Sequence, residues 1–555
     1  MIDIQPQHLT LAKLLDGRLF EIPNYQRAYS WTSRERQDLF EDIESVFAKN
    51  FRESHFMATI VCLRRKSLDL GTDVYDQLDI VDGQQRVTTL VLMLNAIKHA
   101  LNSKKSKQKR VRREIEELLV KVDGDNLLLL QTNHDTSHHF ADYLRAGLID
   151  SPNHGKTLAD RELLTAIIDC RNFVDRWIDN DRRLIDLYAC MKNRLTFILH
   201  EISDEKLVYT VFEVLNSRGI EVSWIDRLKS ILMGKAFELK RANRDRLIRD
   251  LHTIWCDIYT QIGLHQGLST EALRFAATLY QSNLPYRPLS ERDAVDELRA
   301  KAIDSESIRR IARWLLRVTE ACDEVISNRR QNAVTRISQA RLLAVAIYLR
   351  DDICDADRHE ILSRWEKISF RIYGMLGRDA RTGVGDYVRL AWRISQNDVS
   401  VEEIHAGIKQ IGEKLPIAEA VDALRSTNCY DGWQDELRYF MFRYEEHLAK
   451  EEGIDFQNEQ WERIWEASPS NSIEHIIPQS KAPDEVKHML GNLMVLPPNL
   501  NSKLQDKAPK VKREAYRKTG LLSAIEVASR RRWTSRTVRE REAELLDWAL
   551  SEWAD

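Results

Sequence analysis

The feature that most limits the fold is a long centre, from about residue 158 to 450, in which apolar residues recur at helical spacing almost without a break. Polar stretches at 150-DSPNHG-155 and 284-LPYRPLS-290 bound and divide it. Trp177, Trp224, Trp255, Trp314, Trp365 and Trp392 are spread along it as packing points of helix on helix. Both ends carry mixed strand and helix patterns instead, so the fold class is multidomain α+β, predominantly helical. With 555 residues the chain exceeds one ordinary core, and two to four domains are expected. The composition shifts place them at 1–150, 151–430 and 431–555. There is no repeat of fixed period and no low-complexity segment.

Composition narrows the functional classes. The chain is 43% hydrophobic and 30% charged, and its start, MIDIQPQHLT, lacks the basic and apolar regions of a secretory signal. No apolar run approaches the roughly 20 residues that span a bilayer, so no membrane partner and a cytoplasmic address are expected. The seven cysteines are scattered without a C-x-x-C pair, which favours reduced thiols over a zinc ribbon or a disulfide scaffold. Net charge is -3, so any nucleic-acid surface has to be local. The richest stretch runs from Lys503 to Arg541. Lys503, Lys512, Arg513, Arg530, Arg531 and Arg532 within it are the expected phosphate contacts.

Near the N-terminus, a capping-box signal at Thr32 and Glu35 opens a helix reaching about Ala48. Strands are expected at 55-HFMATIVCLRR-65 and 74-VYDQLDIV-81, the second running into 82-DGQQRVTTL-90. Asp82 and Gly83 form the turn, and Gln84, Gln85, Arg86 and Thr88 lie on the first turns of the next helix. The free N–H groups of a helix start attract phosphate, and a guanidinium can clamp its oxygens. Two further polar sets accompany this one. Gln26 and Arg27 sit in 22-IPNYQRAYSW-31, and Glu213, Asn216, Arg218, Asp226 and Lys229 sit in 212-FEVLNSRGIEVSWIDRLKS-230. No P-loop pattern occurs.

At the other end, 472-SIEHIIPQS-480 reads as a short strand of Ile473, Ile476 and Ile477 that presents Glu474 and His475. Gly491-Asn492 opens a second strand, Leu493 to Leu496, and Pro497-Pro498 leads into a helix with Asn501 and Lys503. Phosphodiester hydrolysis needs an activated water and a cation for the developing charge. A neutral imidazole suits the base, and carboxylate and amide oxygens suit Mg²⁺.

This C-terminal pattern resembles the HNH, or ββα-metal, nucleases. The resemblance implies His475 as general base, Asn492 as the residue that holds the loop, and Glu474 and Asn501 as ligands of Mg²⁺ or Mn²⁺; the family's usual acid is Asp. The N-terminal sets I-P-x-Y-Q-R-x-Y-x-W, D-G-Q-Q-R-x-T-T-L and F-E-x-L-N-x-R-G with D-x-x-K resemble the GmrSD-type restriction enzymes, over roughly residues 8–235 and 435–550. That resemblance implies a ParB/sulfiredoxin-like N-terminal core that binds and hydrolyses GTP or another nucleoside triphosphate, coupled to cleavage of modified double-stranded phage DNA. A homodimer is compatible with it. The alternatives are a ParB-like sensor with an inactive nuclease half and an RNA-cleaving abortive-infection toxin.

Overall fold

The computed structural model describes residues 6–554 apart from 24–25, 27, 49–53, 71–72, 122–126, 133–137, 179–180, 203–222, 238, 240, 264, 266 and 457–458. The protein is 66% helical, with a mixed sheet confined to its N-terminal region. Its contacts resolve two compact units, residues 1–273 with 291–316, and residues 274–290 with 317–555.

The first unit is built on six strands: β1 (Pro6–Thr10), β2 (Arg18–Ile22), β3 (His55–Leu70), β4 (Asp73–Asp82), β5 (Leu130–Thr132) and β6 (Leu195–Ile202). Their spatial order is β1-β6-β3-β4-β2-β5, with β3 parallel to β6 and antiparallel to β4, and β2 parallel to β4. Helix α1 (Ser33–Ala48) opens where the capping box places it, with Glu35 accepting from the Thr32 N–H and hydroxyl. Helix α2 (Gln84–Ala100) is buried on nearly every side, among residues such as Val87, Leu90, Met93 and Ile97. Such a helix shows little amphipathic bias, because the sheet and α3 (Leu158–Asp175) take apolar contacts from several faces. Helices α4 (Trp224–Phe237) and α5 (Arg241–Ile262) complete what positions the site here.

In the second unit the C-terminal residues share one core with the helices before them. Phe370, Tyr439, Phe440, Trp548 and Trp553 form a contiguous aromatic cluster, and the buried Arg371 guanidinium donates to the Trp553 carbonyl at 3.2 Å. Against this core sits a small hairpin, β7 (Ile473–His475) and β8 (Leu493–Val495), antiparallel with His475 opposite Leu493. Helices α6 (Pro498–Leu504), α7 (Pro509–Arg517) and α8 (Ser535–Glu552) follow.

The first hairpin strand is shorter than the isoleucine spacing suggests. It ends at His475 because the Asn492 side chain replaces the next ladder partner: its Oδ1 accepts from the Ile477 N–H at 2.8 Å and its Nδ2 donates to the Ile477 carbonyl at 3.2 Å. Gly491 and Asn492 likewise stand in a tight turn, Leu490–Asn492, ahead of β8. A Cβ on Gly491 would lie 2.1 Å from the Val538 carbonyl oxygen, so only glycine lets this turn approach the backbone of α8.

Candidate nuclease centre and nucleotide site

His475 ends β7 and is only 5% exposed. Burial, then the neighbouring His488 and Lys512, push its imidazole down to about 3, so the ring is neutral at physiological pH. Its Nε2 faces His488 Nδ1 at 3.2 Å, and the Gln479 amide Nε2 faces its Nδ1 at 3.3 Å. Tyr430 packs its ring against both histidines, edge-on to His475 at 4.6 Å and stacked on His488 at 5.1 Å. The Cys429 N–H donates to the His488 carbonyl at 3.1 Å and fastens the Tyr430 loop there. Asn492, fully buried, also donates to the Lys487 carbonyl at 2.9 Å, so it holds the whole 477–492 loop.

Glu474 faces a different environment. Its Oε1 accepts from Lys512 Nζ at 2.7 Å and from the Tyr516 hydroxyl at 2.7 Å, and Lys512 also donates to the His475 carbonyl at 2.9 Å. Burial raises the Glu474 carboxyl against the pull of Lys512. Lys512 is therefore no surface cation: its side chain is 0% exposed. Asn501 on α6 donates its Nδ2 to the Asn471 and Ile473 carbonyls at 2.9 and 3.0 Å, which turns the amide so that Oδ1 is the atom left for another partner.

Among the described residues no three or more His, Cys, Asp or Glu side chains group to hold a metal. The donor chemistry still suits a hard cation that keeps most of its water and takes phosphate oxygens. Asn501 would supply an amide oxygen, and Glu474 could join only through the oxygen that Lys512 and Tyr516 leave.

The expected DNA contacts separate into two kinds. Lys503, Arg531 and Arg532 are exposed. Arg513 donates to the Arg530 and Arg531 carbonyls at 3.0 and 2.6 Å, and Arg530 pairs with Glu544 and Glu526.

In the first unit, β4 turns through Gly83 at φ 93° into α2, so the first N–H groups of the helix have no intrahelical acceptor. Gln85 and Lys229 reach the segment before Trp31, and Gln26 within that segment reaches back to the end of β4. Gln26 Nε2 donates to the Val81 carbonyl at 2.8 Å; Gln85 accepts from the Ser30 N–H at 2.9 Å and donates to the Ala28 carbonyl at 3.1 Å. Lys229 Nζ lies 3.4 Å from the Gln26 carbonyl and 5.0 Å from the centre of the Tyr259 ring, whose hydroxyl donates to Asp226. Burial pushes the Lys229 ammonium down to about 8, with Asp226 opposing. Arg86 spreads over the Trp31 ring at 5.6 Å, and burial lowers its guanidinium against the opposing pull of Asp82 and Asp42. Thr88 is buried, and with Gln84, Gln85 and Asp160 it lines a cavity of about 30 Å³, room for a water but not a nucleotide. Arg27, Glu213, Asn216 and Arg218 lie outside the described residues.

Sequence reasoning missed Tyr430, Gln479, His488 and Tyr516. A histidine three residues before Gly491-Asn492 and a Lys512–Tyr516 pair at i, i+4 are the signals that could have found the last two.

The hairpin that carries the neutral His475 and the Asn492 amide bracing its loop lies within one of two stretches that match known families. Residues 11–233 match the GmrSD restriction endonuclease N-terminal domain, and residues 417–548 match the GmrSD restriction endonucleases C-terminal domain. The chain belongs to the GmrSD restriction endonucleases, nucleases of defence against modified DNA. No curated protein matches it. No helix among the described residues is long and apolar enough to cross a membrane.

Proposed function

We propose that this chain is a type IV endonuclease that cuts modified double-stranded DNA at an HNH-type centre, with a ParB/sulfiredoxin-like N-terminal domain that binds and hydrolyses GTP or another nucleoside triphosphate. The observation that carries the reading is the state of His475: buried, neutral and held by partners on both ring nitrogens. A neutral imidazole accepts a proton from water as the water attacks phosphorus, the role of a general base. Lys512 fixes the strand that carries it through the His475 carbonyl, and Asn492 fixes the loop beyond. Mg²⁺ or Mn²⁺, held by Asn501 and in part by Glu474, would neutralise charge developing on the phosphate. Exposed Lys503, Arg531 and Arg532 meet the DNA backbone.

For the nucleotide, the support is the uncapped start of α2 together with Arg86 and the incompletely compensated Lys229. One nuclease centre cuts one strand, so a homodimer is the assembly we propose for double-strand breaks.

The test is cleavage of modified and unmodified phage DNA, and of RNA, with and without GTP and Mg²⁺. Cutting of modified DNA that needs both additions is expected. Cutting of RNA alone, or none on any substrate, would overturn the reading.

A further inference from the structure

The contacts around His475 decide which of its nitrogens can take a proton, and the residue that decides is His488. The Gln479 Nε2 atom can only donate, so His475 Nδ1, facing it at 3.3 Å, must be the nitrogen with the lone pair. The ring proton then sits on Nε2, where it points at His488 Nδ1, 3.2 Å away. For that contact to be a hydrogen bond, His488 must accept at Nδ1 and carry its own proton on Nε2. His488 is itself held: Tyr430 stacks on its ring at 11° between planes, and the Cys429 N–H takes its carbonyl at 3.1 Å.

We propose that His488 is a positioning residue of the nuclease, accepting the His475 Nε2–H and so leaving Nδ1 as the atom that receives the proton of the attacking water. The inference rests on the reading of His475 as general base. The logic is general: a catalytic imidazole with two equivalent nitrogens needs a third group to select its tautomer and fix its ring angle. In many hydrolases that group is a carboxylate. Here it is a second imidazole, which selects the tautomer by accepting a hydrogen bond without adding a negative charge beside the phosphate. Gln479 then occupies the water's place at Nδ1 until substrate arrives.

The experiment uses the full chain with histidine rings labelled with ¹⁵N, the His475 signals assigned by their loss in His475→Ala. The parent should show His475 protonated at Nε2. His488→Leu, which keeps bulk but cannot accept, should lose that tautomer preference and lower kcat for plasmid nicking by about 10–100-fold, with KM for DNA nearly unchanged. His488→Gln, which restores an acceptor oxygen, should recover most of both. A His475 ring protonated at Nδ1 in the parent would overturn the proposal. So would a folded His488→Leu chain that nicks at the parental rate, or equal losses in the leucine and glutamine variants. If His475→Ala itself cuts normally, the base assignment fails; if only the His488 variants are silent, the base stands and this inference falls.

Discussion

Two buried lysines, Lys229 in the first unit and Lys512 in the second, are compensated differently. Lys512 has a carboxylate at 2.7 Å on the buried Glu474 and a carbonyl at 2.9 Å. Among the described residues Lys229 has a carbonyl at 3.4 Å, the face of Tyr259 and the field of Asp226, and burial takes it down to about 8. A buried cation that already has its counter-ion is part of the scaffold. One without a carboxylate in direct contact gains most from an arriving anion. Under the proposed reading, Lys512 is thus part of the scaffold of the nuclease centre, whereas Lys229 is the cation that a nucleotide phosphate would complete.

The largest effect that tests this contrast is on rate. His475→Ala should lower DNA cutting by about 10²–10⁴-fold while leaving nucleoside triphosphate hydrolysis intact, since a positioned base contributes about that much. Arg86→Ala should do the reverse, abolishing hydrolysis without altering the folded nuclease centre. Phosphate release, plasmid nicking and a melting curve on each variant read both. A well-folded His475→Ala chain that cuts at the parental rate would remove the base assignment.

Next come the lysines themselves. Lys512→Met leaves Glu474 buried without its partner and should cost about 3–5 kcal/mol of stability, measured by denaturant unfolding. Lys229→Met keeps the bulk, sheds a poorly compensated charge, and should leave stability nearly unchanged. Its cost should appear as roughly 10–100-fold weaker nucleotide binding by calorimetry, the worth of a charge-assisted contact. Similar unfolding curves for the two variants would erase the distinction.

What is legible in the sequence follows the same divide. His475, Asn492 and Asn501 lie within a single hairpin and helix, so spacing alone brings their segments together: His475 stands opposite Leu493, Asn492 holds the Ile477 backbone and Asn501 the Ile473 carbonyl. His488 leaves a faint trace in its spacing to Gly491-Asn492, but Tyr430 is not legible, because its place depends on the Cys429–His488 backbone bond that ties two distant segments. Lys512 is visible as charge but not as a buried ion: 509-PKVKREAYR-517 is so basic that its one inward lysine does not stand out. In the first unit the strand, turn and helix of DGQQR are legible. That Gln26 and Gln85 spend their amides on backbone groups is not, since an amide suits a ligand and a carbonyl equally well. The three-part division of the chain rests on pattern shifts, whereas contacts group the C-terminal hairpin with the helices that precede it.

Smaller again is the effect expected on the DNA surface. Arg531→Ala with Arg532→Ala removes two exposed charges and should flatten the slope of log affinity against log salt by about 2. Arg530→Ala should change it much less, because Glu544 and Glu526 already hold that guanidinium. Titration of labelled duplex at several salt concentrations distinguishes them, and equal slopes would return all three arginines to the same status.

The smallest effect concerns stability against pH, and it sits where α8 backs the Gly491 turn. Burial pushes the Glu542 carboxyl up to about 7, against Arg425, the Leu490 backbone and Arg539, which pull it down. A carboxyl with a raised folded value binds its proton more tightly in the folded state. The stability it confers is present in full below the unfolded value, near 4.5, and is lost as pH rises through about 7. Glu542→Gln cannot ionise and keeps the uncharged form throughout. It should match the parent at pH 5 and exceed it at pH 8 by about 1 kcal/mol, discounted for partial solvation, or roughly 2–4 °C in Tm for a unit of this size. Melting both proteins across that range provides the measurement. A gain at pH 8 no larger than at pH 5 would mean that the side chain reaches water and that the turn beneath it is not as dry as its 7% exposure indicates.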